Sequence, residues 1–146
     1  MNKYLLLHKR LFILLICVFT ISCNTESSKN VKLETVVYTC DLRENDKVID
    51  TYKKLHGEHV WPEVQEAARV SGYHSIRIYN LDNRLVMILE YPETRSLEEI
   101  NKRYAESNPG KMKEWSKLME SFQQAPPQQD SSKTWVEMEV IYKFEK

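Results

Sequence analysis

Four segments of this chain have the alternation or the residue types of β-strands. Leu33 to Leu42 is rich in Val, Thr and Tyr, which favours a first strand. Tyr73 to Leu81 and Arg84 to Tyr91 flank Asp82-Asn83, so we expect these two segments to form a hairpin. In Trp135 to Phe144 apolar residues recur at every second position, which predicts a last strand with one buried face.

Helical patterns occupy the two stretches between these strands, and each pattern is broken once. Polar residues from Asp41 to Asn45 supply caps for a first helix that ends near Leu55. Pro62 starts a second helix, because a proline in the first turn loses no hydrogen bond. Ser96 caps a third helix, and Asn108-Pro109-Gly110 separates it from a fourth. The apolar stripe of the fourth helix consists of Trp115, Leu118, Met119 and Phe122.

The order strand, broken helix, strand, strand, broken helix, strand is the split βαβ pattern. It predicts an α+β, ferredoxin-like domain over residues 33–146, with a four-stranded antiparallel sheet of the dimeric α/β barrel type. Helices cover only one face of such a sheet, so the other face would expose apolar side chains unless a second copy covered them. We therefore expect a homodimer.

The N-terminal residues have the pattern of an export signal. Three cations precede the apolar run Leu11 to Phe19, which is too short to span a bilayer. The following Thr20-Ile21-Ser22-Cys23 resembles the lipobox of bacterial lipoproteins, which implies a signal peptide at 1–22, a lipidated Cys23 and a polar tether at 23–32. The protein would then be an exported lipoprotein, anchored to a membrane surface on its periplasmic side or on the outer surface. A plain signal peptide cut nearby, or an uncleaved anchor, is the alternative.

Composition and charge narrow the range of partners. The 146 residues are 42% apolar, which is enough for one domain with a core. The chain has 21 Lys and Arg against 21 Asp and Glu, and loss of the signal segment leaves a balance of about −3, which argues against nucleic-acid binding. Cys40 is then the one cysteine of the folded domain, so we expect no internal disulfide. The sequence lacks phosphate-loop, GxSxG, CxxC and HExxH motifs.

Tyr52 and His56 are the first candidates for chemistry, since residues at i and i+4 of a helix project to the same side. Histidine titrates near neutral pH and suits acid/base work. The alternative is structural, with a helix-end histidine that caps carbonyls and a tyrosine that packs. His59 is a second candidate for the acid/base group. No further His or Cys set has ligand spacing, so we expect no metal.

Trp115 and Tyr79 are candidates for binding. An indole offers an apolar ring on which a sugar stacks its C–H face, although core packing explains Trp115 equally well. Arg77 and Tyr79 alternate with Ile76 and Ile78, so they share the strand face opposite the isoleucines and could recognise a ligand there.

From about Tyr38 to Phe144 the chain resembles the L-rhamnose mutarotase family, small dimeric α+β proteins that interconvert the α and β anomers of a deoxysugar. The resemblance rests on Tyr52-Lys-Lys-Leu-His56, Trp61-Pro62-Glu63, Ile78-Tyr79, Arg84 to Glu90, Asn108-Pro109, Glu114-Trp115 and Trp135 to Tyr142. It implies an isomerase that acts on a monosaccharide and needs no cofactor.

By position, the resemblance implies that Tyr52 and His56 bind the sugar and that His56 is the proton donor. Trp115 matches one of two adjacent tryptophans that contact the ligand in the family, whereas the other falls on Glu114. The segment from the histidine to the Trp-Pro pair is one residue longer than in the commonest members. Either this loop carries an insertion, or His59 has taken the role.

A further sugar-binding tyrosine of the family falls on Ile76, with Tyr79 three residues on. These departures leave open which sugar is bound. Our first hypothesis is a mutarotase for L-rhamnose or a relative such as L-fucose. The second is a non-catalytic sugar-binding accessory lipoprotein, and the third is a shared fold alone, as in dimeric α+β barrel monooxygenases.

Overall fold

A computed structural model describes residues 31–127, 129, 130 and 132–144. The signal peptide at 1–22 and the lipidated Cys23 fall outside these residues, so export and lipid anchoring stay predictions from the sequence. Within the described ranges, no helix is both long enough and apolar enough to cross a bilayer.

The strands form one antiparallel sheet. Its members are β1 Leu33–Leu42, β2 Ser75–Leu81, β3 Arg84–Pro92, β4 Gln123–Gln124 and β5 Val136–Glu137. Their order is β2-β3-β1-β4, and β5 pairs with β1 beside β4. This is the strand order of a split βαβ fold, with the predicted fourth strand replaced by two short pieces. The sheet of one chain is open, with β2 at one edge.

The central pair β1 and β3 carries the longest register, from Leu33 opposite Pro92 to Asp41 opposite Arg84. At the end of this register where Asp41 stands opposite Arg84, the Arg84 guanidinium donates to both carboxylate oxygens of buried Asp41. The hairpin of β2 and β3 turns through Asp82, whose φ of 51° is left-handed, as tight hairpin turns require. The predicted hairpin is confirmed.

The helices begin where the polar caps and the two prolines predict. They are α1 Asp46–His56, α2 Pro62–Ser71, α3 Leu97–Glu106 and α4 Pro109–Phe122. The side chains of Asn45, Ser96 and Asn108 each accept a hydrogen bond from a first-turn backbone N–H, at 2.9, 3.1 and 3.3 Å. Pro62 and Pro109 occupy first-turn positions, so both predicted breaks are confirmed.

The sheet has one face that packs on helices, which we call the helix face. Its residues Cys40, Leu42 and Leu85 form a buried cluster with residues of two helices that are distant from them in sequence. Those helix residues are Tyr52 of α1 and Trp115 and Met119 of α4. The predicted α+β, ferredoxin-like architecture is therefore confirmed, and its core lies between the sheet and the helices.

The opposite face, which we call the open face, carries Val37, Val86, Ile88, Tyr79 and Leu81 at register positions that share one side. Tyr79 and Leu81 remain 52% and 74% exposed, and the other three are half-buried. An apolar strand surface of this kind is unusual for a monomer in water.

The C-terminal segment departs from the sequence prediction. A strand was expected from Trp135 to Phe144, whereas only Val136–Glu137 pairs with β1, followed by one bond from the Met138 N–H to the Val37 carbonyl at 2.8 Å. Farther on, Ile141 and Tyr142 are 92% and 80% exposed. Alternation of apolar and polar residues indicates which side chains favour burial, but it does not ensure that a partner strand is present. After Glu137 the segment has no partner strand in the described part of the chain.

Gly72 ends α2 with a φ of 103°, a conformation that side chains with a Cβ rarely adopt. A Cβ at this position would also collide with the Arg95 guanidinium. We expect Gly72→Ala to lower the free energy of unfolding by about 1–3 kcal/mol in urea titrations. Gly110→Ala is the matched control, because it lies in α4 with open space around it and should be neutral or stabilising by up to about 1 kcal/mol. Equal effects of the two substitutions would contradict a special requirement for glycine at the end of α2.

Candidate active site

His56 is the last residue of α1, where the helix ends at Gly57. Its Nδ1 lies 3.1 Å from the backbone carbonyl oxygen of Tyr52. A carbonyl oxygen can only accept, so Nδ1 carries the proton and Nε2 keeps its lone pair in the neutral ring. Burial lowers the pKa of His56, an effect only partly offset by that hydrogen bond. The ring is therefore neutral at neutral pH, with Nε2 as an acceptor.

Tyr52 lies one turn earlier on the same side of α1 and is 3% exposed. Its ring stacks on that of His56, with centroids 4.1 Å apart and planes inclined by 27°. The Gln123 side-chain amide donates to the phenol oxygen at 3.2 Å, which leaves the phenol hydrogen free to be donated. Burial raises the pKa of Tyr52 well above its usual range, so the phenol stays protonated.

Trp115 of α4 closes this cluster and is 6% exposed. Its indole meets the His56 ring edge-on at 5.3 Å between centroids, and meets Trp61 in the same way at 5.3 Å. These contacts hold the imidazole between a phenol and an indole, which restricts its rotation. The core-packing and the binding interpretations of Trp115 are thus compatible, since the same ring belongs to the core cluster and lines a cavity.

One cavity of about 790 Å³ lies between the helix face of the sheet and the helices. Tyr52, His56, Trp115 and Gln123 line one end of it. Its floor is formed by strand residues of the helix face, namely Tyr38, Ile76, Ile78, Met87 and Leu89. The lining is mostly apolar and aromatic with a few polar groups, which is the usual make-up of a small-molecule site.

The structure does not bring every candidate to this cavity. His59 lies on the exposed turn after α1, with its backbone N–H bonded to the Lys54 carbonyl at 2.9 Å. Tyr79 lies on the open face of the sheet, because it stands opposite Val86 while its neighbour Ile78 points to the cavity. Of the two histidines considered for acid/base work, only His56 lines the cavity.

Two other reactive side chains, those of Glu90 and Cys40, are engaged in hydrogen bonds and an ion pair or are buried away from solvent. Glu90 accepts a hydrogen bond from Ser75 at 2.5 Å and pairs with Arg77 at 2.9 Å on the open face. Cys40 is fully buried, and burial raises the pKa of its thiol to about 12, so it is a packing residue. Among the described residues, no group of three or more His, Cys, Asp or Glu could hold a metal ion.

Sequence reasoning missed Gln123, which holds the Tyr52 phenol from the junction of α4 and β4. It also missed the far end of the cavity, formed by Tyr73, Asn101 and Tyr104. Gln123 precedes a Pro/Gln-rich stretch that is typical of a loop, and it is 71 residues from Tyr52. No local pattern could have indicated these contacts.

Comparison with known proteins agrees with this geometry. Residues 35–144 match the family model described as L-rhamnose mutarotase, which is most of the chain. The chain belongs to the L-rhamnose mutarotase family. The family consists of carbohydrate isomerases that interconvert sugar anomers, so the resemblance drawn from the sequence is confirmed, as is the assignment of the chain as an isomerase.

Two relatives and one solved structure illustrate what the chain is similar to. A UPF0734 protein of Dictyostelium discoideum is 32% identical over 105 residues, covering 70% of this chain and 82% of the relative. The L-fucose mutarotase of Xanthomonas campestris is 26% identical over 113 residues, covering 77% and 89%. The L-rhamnose mutarotase of Formosa agariphila, at 20% identity, has the same fold with a TM-score of 0.52 over 77% of this chain and 99% of that structure.

Two positions depart from the family pattern, and the structure shows what replaces them. Glu114 is exposed and pairs with Lys111 at 2.7 Å, so this position belongs to the surface of α4 and is not among the cavity residues. Ile76 does line the cavity, but it supplies only an apolar surface. At the two positions where the resemblance implies a tryptophan and a tyrosine, the cavity therefore receives neither ring.

The depressed pKa of His56 predicts a pH dependence of stability. The unfolded ring keeps its ordinary pKa of about 6.5, so below that pH the unfolded state binds more protons than the folded state. The free energy of unfolding should therefore fall as the pH is lowered through 6.5 toward the folded pKa. Urea titrations between about pH 7.5 and pH 5.5 measure this slope.

His56→Asn should remove this part of the slope, whereas His59→Asn, at an exposed position, should leave it in place. A slope in the His56→Asn protein as steep as in the original protein would contradict the assignment.

Proposed function

We propose that the protein interconverts the α and β anomers of L-rhamnose or a closely related deoxyhexose, with His56 as the acid/base group. The observation that carries this proposal is the neutral His56 ring, whose Nδ1 is held by the Tyr52 carbonyl while the ring lines the cavity between the sheet and the helices. Nε2 is then the nitrogen that can exchange a proton with a bound sugar.

Anomerisation starts with the loss of a proton. Nε2 of His56 takes the proton of the anomeric hydroxyl, a C1=O bond forms, and the bond from C1 to the ring oxygen breaks. The ring oxygen receives a proton as it becomes the C5 hydroxyl, and the imidazolium formed in the first step can supply it. Rotation about the C1–C2 bond and the reverse steps close the ring on the other face of the aldehyde.

The direction of the first proton transfer follows from burial. Because burial lowers the pKa of His56, the resting ring is a base and not an acid. The residue therefore donates only after it has accepted, which refines the proton-donor role implied by the family resemblance. A base with a pKa near or below neutrality gives up its proton readily, as the second half of the reaction requires.

Tyr52, Gln123 and Trp115 position the sugar in this proposal. The Tyr52 phenol remains protonated and its oxygen already accepts from Gln123, so its hydrogen can be donated to a sugar oxygen. Its high pKa makes it a hydrogen-bond donor rather than a proton source. Trp115 offers an apolar ring next to the imidazole, suited to the C–H face of a pyranose.

The choice of sugar rests on the family and on the lining. The matching family model is that of L-rhamnose mutarotase, and one relative is an L-fucose mutarotase, both of which act on 6-deoxyhexoses. A 6-deoxyhexose carries an apolar methyl group at C5. The apolar floor of Ile76, Ile78 and Met87 suits that methyl group better than it suits a hydroxymethyl group.

Saturation-transfer NMR tests the proposal by the exchange rate between the anomers of L-rhamnose and of L-fucose. The original protein should accelerate exchange over buffer. His56→Ala should lower the catalysed rate about 10²–10⁴-fold, because that is what a positioned acid/base group contributes. His59→Ala is the matched control and should keep the original rate, since His59 is exposed.

Two results would contradict the proposal. Loss of exchange in His59→Ala but not in His56→Ala would assign the chemistry to the other histidine. No acceleration of any deoxyhexose, together with measurable binding by calorimetry, would favour the non-catalytic sugar-binding alternative.

We also propose that the open face is the contact surface of a homodimer. Val37, Val86 and Ile88 form an apolar surface there. Next to this surface lies the segment after Met138, in which apolar residues alternate along the chain. This segment pairs with no strand in the described part of the chain. A second copy would cover the first surface with an identical one, as two-fold dimers do.

Ile88→Glu should raise the dissociation constant of such a dimer by more than about a hundredfold, because each copy would bury a carboxylate. Sedimentation equilibrium measures this constant, with Lys117→Glu on the exposed side of α4 as the matched charge control. A monomeric original protein, or an Ile88→Glu dimer of unchanged affinity, would contradict the proposal.

A further inference from the structure

The cavity is longer than a single sugar ring. Gln123 stands opposite Leu42 of β1, and Ile76 stands in the row of Leu89 and Val36, and both Gln123 and Ile76 line the cavity. These rows lie six positions apart on β1, at Val36 and Leu42, which corresponds to about 20 Å along the strand. The volume of about 790 Å³ lies in the upper part of the range for drug-sized ligands. One deoxyhexose next to His56 would leave most of this space to water.

The end remote from His56 is built from aromatic and amide groups, and we call it the phenol end. It consists of Tyr73, Asn101 and Tyr104. The Tyr73 hydroxyl donates to Oδ1 of Asn101, and the rings of Tyr73 and Tyr104 meet edge-to-face at 6.3 Å. These contacts orient the rings and leave the amide NH₂ of Asn101 as a donor. Flat rings beside a fixed amide suit the C–H faces and hydroxyls of a sugar.

The charge of the lining restricts the ligand. Among the cavity residues, Glu120 is the one acidic side chain and His56 the one histidine, and none is Lys or Arg. Burial raises the pKa of Tyr73 to about 12 and also raises that of Tyr104, so both remain neutral phenols. A phosphorylated or carboxylated sugar would find no cation here, whereas a neutral glycan needs none.

On the basis of the proposed function, we infer that the preferred substrate is a neutral reducing disaccharide or longer oligosaccharide. Its reducing deoxyhexose lies at His56, and its next sugar residue lies at the phenol end. The chemistry limits the linkage, because O1 must be a free hydroxyl, O5 closes the ring, and C6 of a 6-deoxyhexose carries no hydroxyl. The second sugar is therefore attached at O2, O3 or O4. The reacting bonds and the proton transfers at C1 are those of the free sugar.

Anomer exchange of free L-rhamnose and of three reducing disaccharides, with a glucosyl residue on O2, O3 or O4 of L-rhamnose, tests this inference. We expect kcat/KM for at least one disaccharide to exceed that of the free sugar by about tenfold or more. Tyr104→Leu, which removes one ring, should lower this preference about three- to tenfold, as expected for loss of an aromatic contact. Tyr73→Phe, which removes only a hydroxyl, should lower it about two- to tenfold.

Lys102→Ala is the matched control, because Lys102 is exposed on α3 next to Asn101 but does not line the cavity. It should leave the preference unchanged. Near-UV circular dichroism and the urea midpoint verify that each variant folds. The inference would be overturned if the protein exchanges the anomers of free L-rhamnose but exchanges those of no disaccharide faster. This result would leave the proposed function intact.

Exchange of no sugar at all would remove the proposed function instead. Calorimetry then tests separately whether the phenol end binds a sugar residue. The probes are the methyl glycosides of the same disaccharides, which can bind but cannot open their rings. Calorimetric affinity that exceeds that of methyl L-rhamnoside and falls in Tyr104→Leu supports the second subsite. Equal affinities in the original protein and in Tyr104→Leu overturn it.

Discussion

The chemistry of the cavity depends on one hydrogen bond, from the Nδ1–H of His56 to the backbone carbonyl of Tyr52. This bond fixes the tautomer and limits rotation of the ring. The structural and the catalytic interpretations of a helix-end histidine are therefore not exclusive. A ring bound to its own helix through Nδ1 is by the same bond prepared to accept a proton at Nε2.

The sheet divides the molecule into two surfaces with different tasks. The helix face supplies the core and the floor of the cavity, whereas the open face carries apolar residues that the described part of one chain leaves exposed. Register keeps these tasks apart, because neighbouring residues of a strand point to opposite sides. Thus Ile78 lines the cavity while Tyr79 lies on the open face. The ion pair between buried Asp41 and the exposed Arg84 adjoins the hairpin turn and anchors the β1–β3 register at that end.

Local patterns predicted much of this structure. The cap candidates that end at Asn45, the cap Ser96 and the break at Asn108-Pro109-Gly110 marked three helix starts. The i, i+4 spacing placed Tyr52 and His56 on one side of a helix. We considered Tyr79 as a sugar-binding residue in place of a tyrosine at position 76. The sequence alone argues against this role, because residues three apart on a strand face opposite sides of the sheet. Contacts between distant segments were beyond local patterns. Gln123 reaches Tyr52 only through the fold, and the alternation after Trp135 predicts a strand but not the chain with which it pairs.

The tautomer of His56 tests the central claim most directly. Long-range ¹H–¹⁵N correlation spectra of the imidazole at neutral pH distinguish a protonated from an unprotonated ring nitrogen, with His56→Asn used to assign the signals. We predict a neutral ring in which Nδ1 is protonated and Nε2 is not. A ring protonated on both nitrogens at neutral pH, or a neutral ring with its proton on Nε2, would contradict the proposed role of His56.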